Sequence, residues 1–307
     1  MHPTTRIALI TDIHHGPDLP TKRGSAALPL LERFAAFVRA SAPDLVLELG
    51  DRISDEAPDL DRRRMAEVAD ALRALASPVA SLCGNHDLVY LPAEENGALL
   101  GQPMRHRILD LPGLLLIVWQ ADARLAPNRG FALAEGDLAW LEATLAAADR
   151  PVLLATHVPL SGQAQTGNYY FERQPELARY DEQPAIRSAL ARCPVPLLCV
   201  AGHVHWNSLT LVDGIAHLTL QSLTETFTTA PAPAGAFALL ELGGEASFRV
   251  EGNDPFACTL PFAGPRRRWL PPLGSTTDAL GPDGAARVAS GAVAAVQQVP
   301  AIAPGSS

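Results

Sequence analysis

Five short segments of the sequence combine aspartate, asparagine and histidine at spacings that suit metal coordination. They are Asp12-x-His14, Gly50-Asp51, Gly84-Asn85-His86-Asp87, the single His157, and Gly202-His203-x-His205. Carboxylate and amide oxygens and imidazole nitrogens are ligands of catalytic Mn, Fe and Zn ions, whereas a purely structural zinc site usually includes cysteine. The segments therefore predict a site for metal-dependent chemistry.

The number of candidate ligands predicts more than one ion. The segments supply three oxygen ligands and four imidazoles, with one further histidine to spare. A tetrahedral site takes only four ligands, but two ions that share a bridging carboxylate take about this many. We therefore expect a dinuclear centre, with Mn, Fe and Zn as the candidate metals.

The candidate ligands follow predicted β-strands. Short apolar runs predict strands at 6–11, 44–49, 78–83, 151–156 and 195–202. One of the five segments lies at the carboxyl end of each strand. Because the carboxyl ends of strands in an open α/β sheet line one crevice, we expect ligands that are two hundred residues apart in sequence to converge.

The rest of the pattern predicts the layers around these strands. Helical periodicity indicates helices near 26–41, 60–76, 133–148 and 182–192, and 114–121 is a further predicted strand. Between 208 and 250 the pattern changes to antiparallel hairpins that turn at Asp213-Gly214 and Gly243-Gly244, dipeptides that tolerate the positive φ of tight turns. We expect an α/β fold with a two-sheet core and helices outside it.

In this order, over residues 12–205, the five segments resemble the calcineurin-like metallophosphoesterase superfamily, and within it the bacterial class III cyclic-nucleotide and glycerophosphodiester phosphodiesterases. The resemblance implies an αββα sandwich, which we assign to residues 1–265. Residues 266–307 are rich in Pro, Gly and Ala, which indicates a loosely attached tail, with a tail that packs along the surface as the alternative because 285–299 has some helical character. His157 departs from some cyclic-nucleotide phosphodiesterases of this type, which carry two adjacent histidines at its position.

The resemblance also implies a role for each candidate residue. The first metal ion would be held by Asp12, His14 and His205. The second would be held by Asn85, His157 and His203, and Asp51 would bridge the two ions. His86 would stand just outside the metals and face the substrate.

The implied reaction is hydrolysis of a phosphodiester by a metal-bridging hydroxide, with His86 as proton donor or charge stabiliser. A neutral Asn85 would keep the charge of the ligand shell low and the ions strongly Lewis acidic. A phosphomonoesterase that uses the same site is the alternative. A noncatalytic scaffold is a third hypothesis, which is disfavoured because such proteins tend to lose ligands or the equivalent of His86, and here every position is filled.

The composition of the chain limits the kinds of substrate, partner and cellular location that we expect. The formal net charge is -9, and the basic run Arg266 to Arg268 is short, so we expect a small phosphoester substrate rather than a nucleic acid polymer. No apolar run reaches the length of a membrane span, and no secretory signal precedes the first strand. The four cysteines lie in or beside apolar stretches, as core thiols in a reducing compartment do. We therefore expect a cytoplasmic protein, and the sequence predicts no oligomeric state.

Several further residues have weaker assignments. The polar segment 161–184, which contains Tyr169, Tyr170, Arg173, Arg179 and Tyr180, is predicted to contact substrate, and the loop at 88–107 to face it. His15 is expected at the rim, because the D-x-H spacing selects His14. His106 and His217 are expected to be structural, and Asp87 to orient a neighbour. For Trp206 and Asn207, a pocket-lining role and a packing role both remain open.

Overall fold

The computed structural model describes residues 4–125 and 130–262, so the predicted tail at 266–307 and its boundary near 265 lie outside the described residues. The α-helices are α1 (Ala27–Ser41), α2 (Pro58–Arg73), α3 (Ala93–Leu100), α4 (Asp137–Ala146) and α5 (Gln183–Arg192). The strands are β1 (Thr5–Ile10), β2 (Leu45–Glu48), β3 (Val79–Ser81), β4 (Arg107–Leu111), β5 (Leu114–Val118), β6 (Val152–Thr156), β7 (Leu197–Ala201), β8 (Ser208–Val212), β9 (Ile215–Thr219), β10 (Phe237–Leu242), β11 (Glu245–Glu251) and β12 (Phe256–Pro261).

The strands form two six-stranded mixed sheets. The first has the order β12-β11-β10-β1-β2-β3, in which β1, β2 and β3 run parallel and β10 pairs antiparallel with β1. The second has the order β4-β5-β6-β7-β9-β8, with β5, β6, β7 and β9 parallel. Hairpins join β8 to β9 and β10 to β11. The parallel strands of both sheets therefore supply the strand ends that carry the candidate ligands.

Three apolar clusters define four layers. The central cluster lies between the sheets and contains residues of both, such as Leu9, Leu47 and Leu153. A second cluster joins α1 and α2 to the outer face of the first sheet, and a third joins α4 and α5 to the outer face of the second. The predicted αββα sandwich is confirmed. None of the helices in the described residues is long and apolar enough to cross a membrane.

Three elements were not predicted, and one helix begins later than predicted. The segment predicted as a loop at 88–107 contains α3, whose eight residues include Gly97 and are too few to establish a helical period. β4 and β12 are strands at the sheet edges, with only partial burial. Helix α4 begins at Asp137 rather than near 133, because Gly136 adopts a left-handed conformation (φ 89°) that stops the helix from extending backwards.

Candidate metal centre

The candidate ligands converge between the carboxyl ends of strands from both sheets. The potential ligand atoms form two sets, and within each set all the atoms lie within 4.8 Å of one another. The set that we name the first ligand group consists of Asp12, His14, Asp51 and His205. The second ligand group consists of Asp51, His157 and His203, with Asn85 beside them because its Oδ1 lies 3.2 Å from Nε2 of His157. Asp51 belongs to both groups.

In the first ligand group the donor atoms point toward a common centre. Nε2 of His205 lies 3.0 Å from Nε2 of His14 and 3.2 Å from Oδ1 of Asp12. The other oxygen of Asp12 is already occupied, because it accepts hydrogen bonds from the Thr11 hydroxyl (2.6 Å) and the His203 amide (2.9 Å). Oδ1 is buried and has no hydrogen-bond partner, so it is the oxygen that is free to bind a cation.

Asp51 is placed between the two ligand groups. Its Oδ2 lies 3.8 Å from Nε2 of His14 in the first group and 3.4 Å from Nε2 of His157 in the second. Its Oδ1 accepts a hydrogen bond of 2.8 Å from the main-chain amide of His86. A carboxylate in this position is able to contact an ion in each group.

The ligand-bearing turns use backbone conformations that most residues avoid. Seven non-glycine residues of the described chain have positive φ, and five of these are candidate ligands: Asp12, His14, Asp51, His203 and His205. Left-handed conformations persist when the surrounding structure enforces them, and they concentrate at functional sites. Gly84 and Gly202 permit the close approach, since a Cβ would lie 2.2 Å from Oδ1 of Asp51 and 2.5 Å from Oδ2 of Asp12, respectively.

Three histidines are oriented through the ring nitrogen that faces away from the centre. Nδ1 of His205 lies 2.8 Å from a carboxylate oxygen of Glu225, and Nδ1 of His157 lies 2.8 Å from the Leu49 carbonyl. Nε2 of His203 lies 2.8 Å from the Leu177 carbonyl. Because these partners accept hydrogen bonds, each histidine donates outward and keeps its other nitrogen free as a ligand.

The acids of the centre favour positive charge on some of these histidines. Although burial opposes both shifts, Asp51 raises the pKa of His157 to about 9, and Asp12 and Glu225 raise the pKa of His205. Burial and the neighbouring His157 lower the pKa of His203 to about 3. Burial also lowers the pKa of His14 well below its usual value. The acids therefore attract positive charge to the side of His157 and His205, while His14 and His203 are neutral imidazoles.

These observations fit two metal ions. Ligands about 2.1 Å from one ion lie roughly 3 to 4 Å from each other, and the donor separations of 3.0 to 3.8 Å in the first group agree with that spacing. The donor set is oxygen and nitrogen without thiolate, which suits a catalytic rather than a structural centre. The unpartnered buried Oδ1 of Asp12 is explained by such an ion.

His86 lies beside the first ligand group and outside it. Its ring centroid is 4.9 Å from that of His14, and its Nδ1 donates a hydrogen bond to Asp55. The side chain of His86 is 30% exposed, so it is accessible from the cavity described below. The hydrogen bond from His86 lowers the pKa of Asp55, although burial opposes the shift. Asp55 is therefore an anion that fixes the orientation of His86.

Asp87 joins the turns after β2 and β3. Its carboxylate accepts hydrogen bonds from the amides of Asp51 (3.0 Å), Arg52 (2.8 Å) and Gly84 (2.9 Å). The guanidinium of Arg52, also fully buried, lies 2.9 Å from the same carboxylate and 2.5 Å from Glu48. This buried ion network fixes the main chain on either side of Asp51.

A cavity of about 340 Å³ opens onto both ligand groups. Its polar side includes Lys22, Asp51, Asn85 and His86, together with His203 and His205. The other lining residues are Leu125, Tyr170, Phe171, Gln174 and Leu177, and we call the part formed by the apolar and aromatic ones among them the apolar side. Most of that apolar side belongs to the segment 161–184, as the sequence suggested.

Within the segment 161–184, the residues predicted to contact substrate have different positions. Tyr170 lines the cavity, and its hydroxyl donates to Glu225 at 2.8 Å. Tyr180 is instead buried in the outer cluster against Trp119 and Phe131. The remaining three, Tyr169, Arg173 and Arg179, are exposed and do not line the cavity.

The histidines that were not predicted as ligands, namely His15, His106 and His217, lie outside both ligand groups. His15 lies 2.6 Å from Glu67 of α2. His106 lies 3.1 Å from Asp137 and stacks on Trp140, and His217 is buried in β9. Of the two residues after the last ligand, Trp206 packs with Val204 and Phe171, and the Asn207 side chain donates to the Asp254 carbonyl at 3.0 Å. Both therefore have packing roles rather than lining the cavity.

Three residues of the site were not found by sequence reasoning. Asp55 follows the G-D segment by four residues, so its spacing was a readable signal. Lys22 also had a readable signal, because it is the only lysine among the 24 lysine and arginine residues of the chain. Glu225 had no sequence signal, because its segment after β9 contains no ligand motif.

Comparison with known proteins agrees with this geometry. A family model for calcineurin-like phosphoesterases matches residues 5–207, and the chain belongs to that family. No match was found among curated proteins. A dimetal phosphatase from Danio rerio has a similar structure, with a TM-score of 0.69 and 18% sequence identity over 84% of this chain and 99% of that one. A purple acid phosphatase from yellow lupin (Lupinus luteus) seeds is similar with a TM-score of 0.55 and 14% identity, over 85% of this chain and 54% of that one. Likeness at these identities concerns the fold.

Proposed function

We propose that the protein is a dinuclear metal-dependent hydrolase of a small phosphodiester. The observation that carries the proposal is Asp51, whose Oδ2 lies within 3.8 Å of a histidine nitrogen in each ligand group. Asp12, His14 and His205 are the proposed ligands of one ion, and Asn85, His157 and His203 of the other. Mn, Fe and Zn suit this donor set.

Two bound ions would supply a water of lowered pKa as nucleophile and would neutralise charge on the phosphoryl oxygens. The side chains of the site would assist the leaving group. His86, oriented by its hydrogen bond to Asp55, would donate a proton to the leaving alkoxide or stabilise its charge.

The cavity supports a diester as substrate. A diester has two organic arms, of which one leaves beside His86 and the other needs a surface to contact. The apolar side formed by Leu125, Phe171 and Leu177 offers such a surface. A cavity of about 340 Å³ also suits a small molecule rather than a polymer.

A phosphomonoesterase is the second candidate, and Lys22 is the observation that favours it. The doubly charged phosphoryl group of a monoester is attracted more strongly than a diester by an additional cation. Lys22 lines the cavity beside Asp51 and His86.

Hydrolysis of bis(p-nitrophenyl) phosphate and of p-nitrophenyl phosphate by metal-free protein reloaded with Mn, Fe or Zn tests the proposal. We expect metal-dependent turnover of both esters, with a higher kcat/KM for the diester. The absence of turnover with every metal would refute the hydrolase, and a preference for the monoester would replace the diesterase by the phosphatase.

His86→Gln tests the proton donor. We expect kcat to fall by about 10²-fold or more while both ions stay bound, as measured by metal analysis. Asp55→Asn is expected to reduce kcat in the same direction but by less, since His86 itself remains. His106→Gln, at a histidine outside the site, is the matched control. Loss of an ion from His86→Gln would mean that His86 is a ligand.

We also propose a cytoplasmic location. None of the four cysteines, Cys83, Cys193, Cys199 and Cys258, forms a disulfide bond in the structure, which is usual for a reducing compartment. Fractionation of cells that express the tagged protein tests this, and recovery from the membrane or secreted fraction would contradict it.

A further inference from the structure

Lys22 is unusual in its residue type. The chain uses arginine at every other basic position, so a lysine at this one position is a departure from its own composition. An ammonium group is a compact point charge with three donors, whereas a guanidinium is a wide planar fork. The position therefore suits a group that meets its partner at a single point within a confined space.

The main chain around Lys22 is fixed. The Thr226 amide donates to the Thr21 carbonyl at 2.6 Å, and the Arg23 amide donates to the Thr224 carbonyl at 2.9 Å. These two hydrogen bonds hold residues 21–23 against the segment that contains Glu225. The Lys22 side chain therefore starts from a rigid base beside the first ligand group.

The ammonium group of Lys22 is buried at the edge of the cavity. The residue is 6% exposed, and its Nζ lies 5.7 Å from the ring centroid of Tyr170. The Tyr170 ring is in turn 5.3 Å from that of His205. Across the described residues, no carboxylate forms an ion pair with Nζ, although Asp51 and Glu225 are close enough to attract it. The charge is therefore directed at the cavity and is not neutralised by a direct partner.

Charge balance indicates what completes this environment. Two divalent ions beside Lys22 would repel its ammonium group and offset the attraction of Asp51 and Glu225. An anion between Lys22 and the ions would turn that repulsion into attraction. A phosphoryl group has the charge and the oxygen geometry for this position.

We propose that Lys22 binds a non-bridging oxygen of the substrate's phosphoryl group and determines how well the site accepts a doubly charged monoester relative to a diester. The proposal rests on the hydrolase function proposed above. The substrate class that follows is a phosphoester whose phosphoryl group faces Lys22 and whose organic arm contacts the apolar side of the cavity.

Substitution of Lys22 is the first test. In Lys22→Met protein loaded with metal, we expect the inhibition constant of inorganic phosphate to rise about tenfold or more, as for loss of a charged hydrogen bond. KM should rise more for p-nitrophenyl phosphate than for bis(p-nitrophenyl) phosphate. Lys22→Arg should retain part of the phosphate affinity. Arg23→Met, which removes a neighbouring cation that bonds to the Leu19 carbonyl outside the cavity, should behave as the unaltered protein.

Chemical labelling is the second test, and it does not depend on hydrolysis. Because Lys22 is the only lysine, reductive methylation with formaldehyde and a cyanoborohydride reductant modifies a single ε-amine, which peptide mass spectrometry quantifies. In metal-loaded protein we expect inorganic phosphate to slow methylation of Lys22, with the α-amino group as the internal reference.

The outcomes separate this proposal from the function on which it rests. If the unaltered protein hydrolyses neither ester, the proposed function fails, but protection of Lys22 by phosphate still tests the anion site. Equal methylation with and without phosphate would refute the proposal. So would Lys22→Met protein that binds phosphate as tightly as the unaltered protein, or that loses its metal ions.

Discussion

In the first ligand group the outer nitrogen of His205 contacts the carboxylate of Glu225, whereas in the second group His157 and His203 both contact main-chain carbonyls. A carboxylate partner makes an imidazole more basic than a neutral carbonyl does. The oxygen ligand that is not shared also differs, since it is the anionic Asp12 in the first group and the neutral Asn85 in the second. The two groups should therefore bind their ions with different strengths, the first group more tightly.

This difference suggests that the two ions would have different roles. Strong donors hold an ion firmly but reduce its Lewis acidity, and weak donors do the reverse. The second group, with Asn85 and carbonyl-bound histidines, is expected to hold the more Lewis-acidic ion. His86 is 4.9 Å from His14 between ring centroids, so the proposed proton donor is adjacent to the first group.

Removal of the carboxylate that both ligand groups share should weaken metal binding in both groups at once. Asp51→Asn preserves the shape of the side chain, and asparagine tolerates the positive φ of 56° at this position. We expect hydrolysis to fall on the order of 10³-fold and both ions to bind more weakly, as measured by steady-state kinetics and metal analysis. If only one ion were lost, Asp51 would not be a bridge.

Glu225→Gln should weaken metal binding by the first ligand group only. The glutamine keeps a hydrogen-bond acceptor for His205 but removes the charge, and loss of such a partner typically costs about 10- to 100-fold in metal affinity. Isothermal titration of metal-free protein should show one site weakened by this amount and the other unchanged. Glu245→Gln, at an exposed position of β11, is the matched control. Equal weakening of both sites would mean that the groups are not independent.

Asn85→Asp should make the second group more like the first. An added negative charge is expected to strengthen binding of the second ion and to reduce kcat, each by about tenfold, because the ion becomes less Lewis acidic. The reciprocal variant, Asp12→Asn, should weaken the first group. A rise in kcat for Asn85→Asp would contradict the proposed benefit of a neutral ligand.

Substitution of His217, which lies outside both ligand groups, should have the smallest effect of these variants, and that effect is on stability rather than on metal binding. It is buried in β9, its Nδ1 has no hydrogen-bond partner in the described chain, and burial lowers its pKa from 6.5 to about 4. As pH falls from 6.5 to 4 the unfolded chain binds the proton first, so stability is lost over that interval.

Denaturant unfolding of the metal-free protein at pH 7 and pH 5 measures this effect. We expect the decrease in unfolding free energy between these values to be about 2 kcal/mol smaller in His217→Gln than in the unaltered protein. Hydrolysis should be unchanged when the variant is loaded with metal. An identical decrease in both proteins would show that His217 is not kept neutral by the fold.

The fold was largely predictable because its main strands are short apolar runs bounded by turn residues. β6 and β7 lie within the predicted 151–156 and 195–202, and they are completely buried. The elements that were missed have weaker local signals. β12 alternates between exposed and partly exposed residues at a sheet edge, and α3 has only eight residues, so tertiary pairing rather than local pattern determines both.

The candidate site was predictable for a different reason. Its candidate ligands are rare residue types at strand ends, and turn positions such as Asp12 and Gly84 must be close in sequence to the strands that carry them. Glu225 and Leu177 were not predictable. A carboxylate that holds His205 from twenty residues away is identified only when the chain has folded, and a main-chain carbonyl leaves no trace in the residue type.

The sequence by itself determined the αββα sandwich, the residue types of both ligand groups and the glycines that let their turns approach. These features depend on local chemistry, namely strand propensity, steric limits on φ and the donor atoms that metals prefer. Only the tertiary structure decided which histidine nitrogen faces the centre, that Asp55 orients His86, and that the single lysine is directed at the cavity. Each of these depends on distances between segments that are far apart along the chain, and those distances are set by packing of the two sheets rather than by any residue alone.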